Sequence, residues 1–176
     1  MKKSSITIIA IVMTAALALC FAACGSGEQN TGNDAKPAKT FDVVELAKNI
    51  YDNCTFDGYG PELSSDPEFT VCKVCGADPA LIAGEEGAKK AAAYVAAATP
   101  EMVICVEAVD KDAAQKLMDD TFTPLIEGYI HDYTNYSPAE VAKLESAVKI
   151  VEGNYVIVVV SGDNSAASAY IAGLLG

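Results

Sequence analysis

Residues 147–160, AVKIVEGNYVIVVV, decide the fold of this chain. β-Branched side chains dominate both halves of the stretch, and such residues favour strands. Gly153-Asn154 separates the halves, and a two-residue connection of this type predicts a β-hairpin of strands 147–152 and 155–160. The unbroken apolar run 156–160 is typical of a central strand that is buried on both faces.

A second pair of strands is predicted upstream of the hairpin. Met102 to Ala108, MVICVEA, is rich in strand-forming residues and follows the turn residues Thr99-Pro100-Glu101. The Ala-rich segment 88–98 favours a helix by propensity alone. Because a turn and a clear strand follow it, we instead expect 91–98 and 102–109 to form an antiparallel pair.

Helix-start signals fill most of the remaining chain. Most of them combine a capping residue with Pro or an acidic residue in the first turn. The predicted helices or helical turns follow Asp42, Asp66, Asp78, Asp110, Ser137 and Asp163. Ser137-Pro138-Ala139-Glu140 is the clearest signal, because Ser and Glu stand at the two ends of a capping box. Pro124 lies inside the helix that follows Asp110, where it removes the hydrogen bond to the Asp120 carbonyl and predicts a kink.

The amino terminus carries the three parts of a secretory signal: a basic start, an apolar middle and a small-residue end. Ala22-Ala23-Cys24-Gly25 also fits a bacterial lipoprotein signal, in which a diacylglyceryl group is attached to the cysteine thiol. Phe21 replaces the more usual Leu, and Cys20 is a poorer candidate because it follows the bulky Leu19. We therefore expect lipidation at Cys24, with an uncleaved transmembrane helix or plain secretion as alternatives.

Residues 25–39, GSGEQNTGNDAKPAK, contain no large apolar side chain and predict a flexible tether that reaches about 20 Å. The predicted organisation is a signal peptide over 1–23, a lipidated Cys24 with its linker over 24–39, and a single domain over 40–176. The fold class predicted for that domain is α+β, a small antiparallel sheet of about four strands packed by helices. The expected location is the outer face of the cytoplasmic membrane, where acylated Cys24 enters the lipid bilayer.

The charge balance excludes one class of partner. The chain has 24 acidic residues against 12 basic ones, all of them Lys, and a formal net charge of −12. Nucleic-acid binding depends on clustered Lys and Arg contacts to phosphates, so no nucleic-acid partner is expected. The acidity is typical of a soluble surface, and no Asp-x-Asp-x-Asp-Gly calcium loop is present.

Cys72-Lys73-Val74-Cys75 is the motif that most suggests chemistry. Two thiols at this spacing can form a redox disulfide or half of a zinc site. The pair lies at the end of its predicted helix, where the helix dipole disfavours a thiolate. Zinc would need further ligands, and Cys54 and Cys105 do not have the usual paired spacing. Buried apolar cysteines, a structural disulfide among Cys54, Cys72 and Cys75, and redox catalysis all remain open, and no metal or cofactor is predicted.

The other polar residues are expected to be structural. His131 stands alone on a polar stretch, and Asp119-Asp120 is expected on the solvent side of a helix. Ser161-Gly162-Asp163 lacks the Gly-x-Ser-x-Gly frame of a nucleophile elbow and is expected to be a strand-end turn with a helix cap. Tyr129, Tyr133 and Tyr136 fall on one helical face and are expected in the core, with an aromatic binding platform as the alternative. No catalytic residue is predicted.

The chain resembles the uncharacterised lipoproteins of Clostridia-type Firmicutes that carry the DUF4358 domain. The resemblance lies in Ala98-Thr99-Pro100-Glu101-Met102, in residues 136–144 (YSPAEVAKL) and in Gly153-Asn154-Tyr155-Val156. It covers the carboxy-terminal half well and the rest loosely, and these motifs are caps and turns. The long helix here lacks the Arg that is often found in the family. The order of signal, linker and domain agrees with that of the family, and the family has no assigned activity that would carry over to this chain.

Taken together, these features predict a non-enzymatic, membrane-anchored lipoprotein that binds an envelope protein or a small ligand outside the cytoplasmic membrane. The alternative is a thiol-redox protein that uses Cys72 and Cys75.

Overall fold

The computed structural model describes residues 39–57 and 60–176, which belong to one compact unit. The predicted signal peptide, the lipidation site Cys24 and nearly all of the predicted linker lie outside the described residues, as do Gly58 and Tyr59 of the predicted 57–61 loop. Among the residues described, no helix combines the length and apolar character needed to cross a membrane.

The described residues form an α+β fold around one antiparallel sheet of five strands, in the order β1-β2-β3-β5-β4. Its strands are β1 (Glu62–Leu63), β2 (Ala91–Val95), β3 (Met102–Glu107), β4 (Val148–Glu152) and β5 (Tyr155–Val160). The predicted hairpin and the predicted upstream pair are both confirmed. Gly153 has φ 58° at the first position of the two-residue hairpin turn, a conformation that Gly adopts readily.

The helices begin at most of the predicted caps. They are α1 (Val43–Asn53), α2 (Pro67–Phe69), α3 (Lys111–Leu117), α4 (Thr123–Tyr136), α5 (Val141–Glu145) and α6 (Asn164–Leu175). The side chains of Asp42, Asp66, Asp110 and Asp163 each accept a hydrogen bond from a backbone N–H in the first turn of the helix that follows. Two π-helical turns, Thr70–Val74 and Met118–Phe122, extend α2 and α3, and short 3₁₀ turns cover Pro79–Leu81 and Pro138–Glu140.

Helices cover both faces of the sheet. Val156, Val158 and Val160 of β5 face a core that includes residues of α3 and α4, whereas Ile157 and Val159 face a second core with α1 and α6. All six residues of β5 are buried. The continuous apolar run of this strand therefore follows from its place between two layers of helices, as predicted.

Three details of the structure differ from the sequence predictions. The sheet has a fifth strand, β1, whose two residues are too few to carry a hydrophobic pattern. Ser137 forms no side-chain capping hydrogen bond, and its own N–H donates to the Tyr133 carbonyl at 2.8 Å, so Glu140 completes no capping box and contacts Lys143 instead. Near Pro124 the helix passes through a π-helical turn, in which Thr123 N–H donates to the Met118 carbonyl. Pro124 then lies in the first turn of α4, where a missing N–H costs little.

Candidate functional site

A cleft beside Cys72 is the first candidate site. We call it the Cys72 cleft; residues 65–69, 72–73, 79–80 and 86–89 line it, and its volume is about 860 Å³. One wall comes from α2 and the π-helical turn that extends it, and the other comes from the segment that leads into β2. Ligand pockets in proteins are about 300–1,000 Å³, so the cleft has the size of a small-molecule site.

Hydrogen bonds tie the two walls of the Cys72 cleft together. The Glu68 carboxylate accepts from the Gly87 N–H at 3.2 Å and from the Lys89 N–H at 3.1 Å. Lys89 Nζ donates to the Ile82 carbonyl at 3.2 Å and to the Gly84 carbonyl at 2.8 Å, which closes the 84–89 loop on itself. These bonds fix the two walls of the cleft relative to each other, so a ligand would meet a largely formed site.

A Gly-specific turn shapes one rim of the cleft. Gly84 has φ +93°, and a Cβ at this position would lie 2.4 Å from the Ala88 carbonyl oxygen. Gly87 also has a positive φ, but nothing lies within 4 Å of its would-be Cβ. The close backbone approach at Gly84 therefore requires glycine at that position.

The lining of the Cys72 cleft mixes apolar and charged groups. Phe69 is 55% exposed and stands near Pro67, Pro79 and Ala80 in the cleft. Lys73 and Glu86 add one charge of each sign. Such a surface suits a ligand that carries both apolar and polar groups.

Cys72 and Cys75 are both free thiols at this side of the fold. Both pack against the core that contains α3 and α4, and Cys72 also lines the cleft. Burial raises the pKa of Cys75 to about 11, and the neighbouring Cys72 adds to this effect. Burial, followed by the charge of Glu68, also raises the pKa of Cys72. Both groups are therefore protonated at neutral pH, which disfavours the thiolate that rapid thiol exchange needs.

The other two described cysteines lie on the opposite face of the sheet. Cys105 is fully buried and Cys54 is partly buried, and both belong to the core of α1 and α6. Of the alternatives left open by the sequence, a disulfide that includes Cys54 does not fit the structure, because the sheet separates Cys54 from Cys72 and Cys75. In residues 39–57 and 60–176 no group of three or more metal-ligating side chains is close enough to hold a metal ion.

A second candidate lies at one end of the sheet, where Lys143 meets three carboxylates. We call Lys143, Asp57, Glu101 and Glu140 the Lys143 centre. Lys143 Nζ is 2.6 Å from Asp57 Oδ2, 3.0 Å from Glu140 Oε2 and 3.3 Å from Glu101 Oε1. Burial lowers the pKa of Lys143, but hydrogen bonds to the three carboxylates outweigh it, so the net pKa is raised and Lys143 stays charged.

Glu101 is the most deeply buried member of the Lys143 centre, at 1% exposure. Its carboxylate accepts from the Asp57 N–H at 2.9 and 3.1 Å and from Thr99 Oγ1 at 3.3 Å. The buried charge is thus surrounded by donors, which is how proteins accommodate an internal carboxylate. Glu101 fixes residue 57 against the β2–β3 turn.

Asn164 connects the Lys143 centre to the start of α6. Its side-chain amide donates to the Lys143 carbonyl at 2.7 Å and accepts from the Ser161 N–H at 2.8 Å. Lys143 is therefore held at both its backbone and its ammonium group. A charged amine with this many carboxylate partners is suited to holding segments together, and it is poorly suited to act as a base or nucleophile.

Sequence reasoning treated the residues of the Lys143 centre only as parts of turns and caps. Glu101 and Lys143 come from two of the motifs that carry the family resemblance, and the structure brings those two motifs together. The i, i+3 spacing of Glu140 and Lys143 is a signal that could have suggested an ion pair. Nothing in the sequence indicates that Glu101, in a turn, is buried.

The other polar and aromatic residues discussed from the sequence lie where expected, with one exception. His131, Asp119 and Asp120 are exposed, and Asp163 caps α6 after the buried Ser161. Tyr129 and Tyr133 pack against the core, as predicted. Tyr136, the last residue of α4, is 79% exposed, and its ring makes an edge-to-face contact with that of Tyr133, so its predicted core position is wrong.

Comparisons of the chain with protein-family models, with curated proteins and with solved structures found no match. The function proposed below therefore rests on the sequence and geometry of this chain.

Proposed function

We propose that this protein is a membrane-anchored extracytoplasmic lipoprotein whose folded domain binds a small ligand in the Cys72 cleft without catalysing a reaction. The observation that carries the proposal is the cleft itself. It has the volume of a small-molecule site, and Glu68 holds its two walls together through two backbone amides. When a ligand binds to a pre-formed site, less free energy is lost to ordering the side chains and loops around it.

The chemistry of the cleft favours binding over turnover. Its thiol has a raised pKa, and its best-placed carboxylate, Glu68, is engaged by backbone N–H groups. The ligand class that fits is a small molecule with an apolar part near Phe69 and a charged or polar group near Lys73 or Glu86. An envelope protein is the competing occupant, and the experiment below separates the two.

A binding screen of small molecules, followed by mapping of amide chemical shifts, tests this proposal. We expect ligands to shift the amides of residues 66–73 and 79–89. Ala80→Trp should fill the cleft and abolish these shifts, whereas Ala169→Trp places the same side chain at an exposed position of α6 and should leave them intact. Shifts that map elsewhere, or that survive in Ala80→Trp, would refute the cleft as the site.

The membrane anchor is proposed from the leader sequence. Its support is the Ala22-Ala23-Cys24-Gly25 pattern and the polar stretch 25–39 behind it. Metabolic labelling with a palmitate analogue should mark the wild-type protein and leave Cys24→Ser unlabelled. Equal labelling of both proteins would contradict attachment at Cys24.

Membership of the lipoprotein family with the DUF4358 domain also remains a proposal. It is supported by the three matching motifs, and two of them contribute Glu101 and Lys143 to the same centre. A domain of that family with measured coordinates would test it. We expect equivalents of Glu101 and Lys143 to form an ion pair there.

Thiol-redox activity is the alternative function. Its support is that Cys72 lines a surface cleft and lies three residues from Cys75, while the raised pKa of both thiols counts against it. Catalysed reduction of a protein disulfide, lost in both Cys72→Ser and Cys75→Ser, would favour this alternative over simple binding.

A further inference from the structure

Cys72 and Cys75 lie three residues apart and pack against the same core, and Cys72 also lines the cleft. Cys72 lines the cleft and is reachable from solvent, whereas Cys75 is more deeply buried against the core. Both lie at the end of the π-helical turn, which closes when the Cys75 N–H donates to the Thr70 carbonyl at 2.9 Å. No other described cysteine packs on this face of the sheet.

A disulfide between these residues is within reach but would not leave the turn unchanged. Side chains three apart on a helix have Cβ atoms about 5–6 Å apart. A disulfide needs Cβ atoms about 3.5–4.5 Å apart, so the turn must tighten by roughly 1 Å or more. The turn has room to do so, because it ends at Gly76, which has φ 81° and open space where a Cβ would be.

We propose that Cys72 and Cys75 form a reversible disulfide, and that closing it reshapes the wall of the Cys72 cleft. The oxidant is a disulfide, either a small one such as oxidised glutathione or that of an exported thiol oxidoreductase. An effect of this disulfide on ligand binding rests on the proposed function of the cleft. The disulfide itself and the movement of the wall do not depend on that function.

The reaction balances as two successive thiol–disulfide exchanges. The Cys72 thiolate, formed by loss of its proton, attacks one sulfur of the oxidant, and the other sulfur leaves as a thiolate that takes up a proton. The Cys75 thiolate then attacks the Cys72 sulfur and displaces the second half of the oxidant. Two thiols of the protein become one disulfide, and one disulfide of the oxidant becomes two thiols.

The expected consequence follows from the position of Glu68. Glu68 is one helical turn before Cys72, and its carboxylate holds the amides of Gly87 and Lys89. Tightening of the turn around Cys72 shifts this carboxylate relative to the opposite wall. The two amides then lose their acceptor, and the cleft opens.

Mass spectrometry of the full chain in detergent tests both parts of the proposal without any ligand. After treatment with oxidised glutathione, the peptide that contains both cysteines should lose two hydrogens and resist alkylation, in the wild type and in Cys54→Ser. Hydrogen exchange of residues 84–90 should rise several-fold in the same samples, while residues 155–160 of β5 stay unchanged. Cys72→Ser and Cys75→Ser should show neither change.

The proposal is overturned if Cys72 and Cys75 both remain alkylatable, or if Cys72 stops at a mixed disulfide with glutathione. It is also overturned if the disulfide forms and exchange of residues 84–90 does not change. Because no readout uses a ligand, a failure of small-molecule binding in the cleft would leave these results intact, and the two proposals can fail separately.

Discussion

The ion pair between Glu101 and Lys143 stabilises the local structure at one end of the sheet. Glu101 is an acidic side chain at 1% exposure, and its charge is balanced by Lys143 and two kinds of hydrogen-bond donor. Removing one partner of a buried ion pair leaves the other charge uncompensated, which costs more than the pair itself contributes.

Lys143→Met is therefore expected to destabilise the protein by about 3 kcal/mol, because it leaves buried Glu101 without its cation. Lys48→Met is the matched control. Lys48 pairs with Asp52 on the surface, where its side chain is 62% exposed, so its loss should cost much less than the loss of Lys143. Urea denaturation of both variants measures the difference, and equal costs would contradict a structural role for the Lys143 centre.

The thiols of Cys72 and Cys75 should react slowly at neutral pH. Because burial raises the pKa of Cys75 to about 11, its thiolate fraction should grow about tenfold for each pH unit between 7 and 10. Iodoacetamide labelling followed by site-resolved mass spectrometry measures these rates, with glutathione as an unperturbed control. A Cys75 rate that levels off near pH 8 would show that the thiol is not perturbed by burial.

At the residue scale, the sequence predicted which side chains are buried better than it predicted which side chains lie near each other. Cys105 was expected in the core and is fully buried, because it lies on a strand that is apolar on both faces. Cys54 was considered with Cys72 and Cys75, and the sheet separates them. Spacing along the chain cannot show which side of a sheet a distant cysteine will occupy, and that determines which thiols meet.

The 84–89 loop is the element on which the shape of the Cys72 cleft depends. It contributes the amides that Glu68 accepts from, and its turn needs the close approach of Gly84 to the Ala88 carbonyl. The sequence predicted only that Gly84-Glu85-Glu86-Gly87 ends a helical turn. The cleft could not be predicted, because it requires knowing that this loop folds back onto α2.

Gly84→Ala is expected to destabilise the protein more than Gly87→Ala. Both substitutions place Ala at a positive φ, which costs about 1–2 kcal/mol, but only the Gly84 substitution adds a clash with backbone. The difference between their free energies of unfolding isolates that clash, and hydrogen exchange at Gly87 and Lys89 should rise only in Gly84→Ala. Identical behaviour of the two variants would mean that the loop accommodates a side chain at residue 84.

Strands and helix starts were predictable to different degrees. The hairpin prediction was correct because its β-branched composition, its length and its Gly-Asn turn all favour the same structure. The Ala-rich strand β2 shows that tertiary pairing overrides helix propensity, since β1 and β3 flank it in the sheet. The capping box at Ser137 is not formed because the Ser137 N–H, from which Glu140 would accept, donates instead to the Tyr133 carbonyl at the end of α4.

At the scale of the whole molecule, the sheet separates two regions with different chemistry. One face packs against α1 and α6 and buries Cys105, and the other packs against α3 and α4 and carries Cys72 and Cys75. The Lys143 centre ties residues 55–57, the β2–β3 turn, α5 and the start of α6 together at one end. These contacts hold several segments together at that end of the sheet.

The two cores of the sheet should contribute to stability in the same way. Ile157→Ala and Val158→Ala remove neighbouring buried side chains that face opposite cores, and each should cost about 2–4 kcal/mol. Thermal and urea unfolding measure these costs. A near-zero cost at either position would contradict a sheet that is covered on both faces.

Mass spectrometry of the protein isolated gently from its own cells tests the central claim, that the Cys72 cleft binds a small ligand. The account predicts a bound small molecule on the wild type and on Ala169→Trp, and its loss from Ala80→Trp, which fills the cleft. A small molecule that stays bound to Ala80→Trp, or a protein partner in its place, would contradict the account.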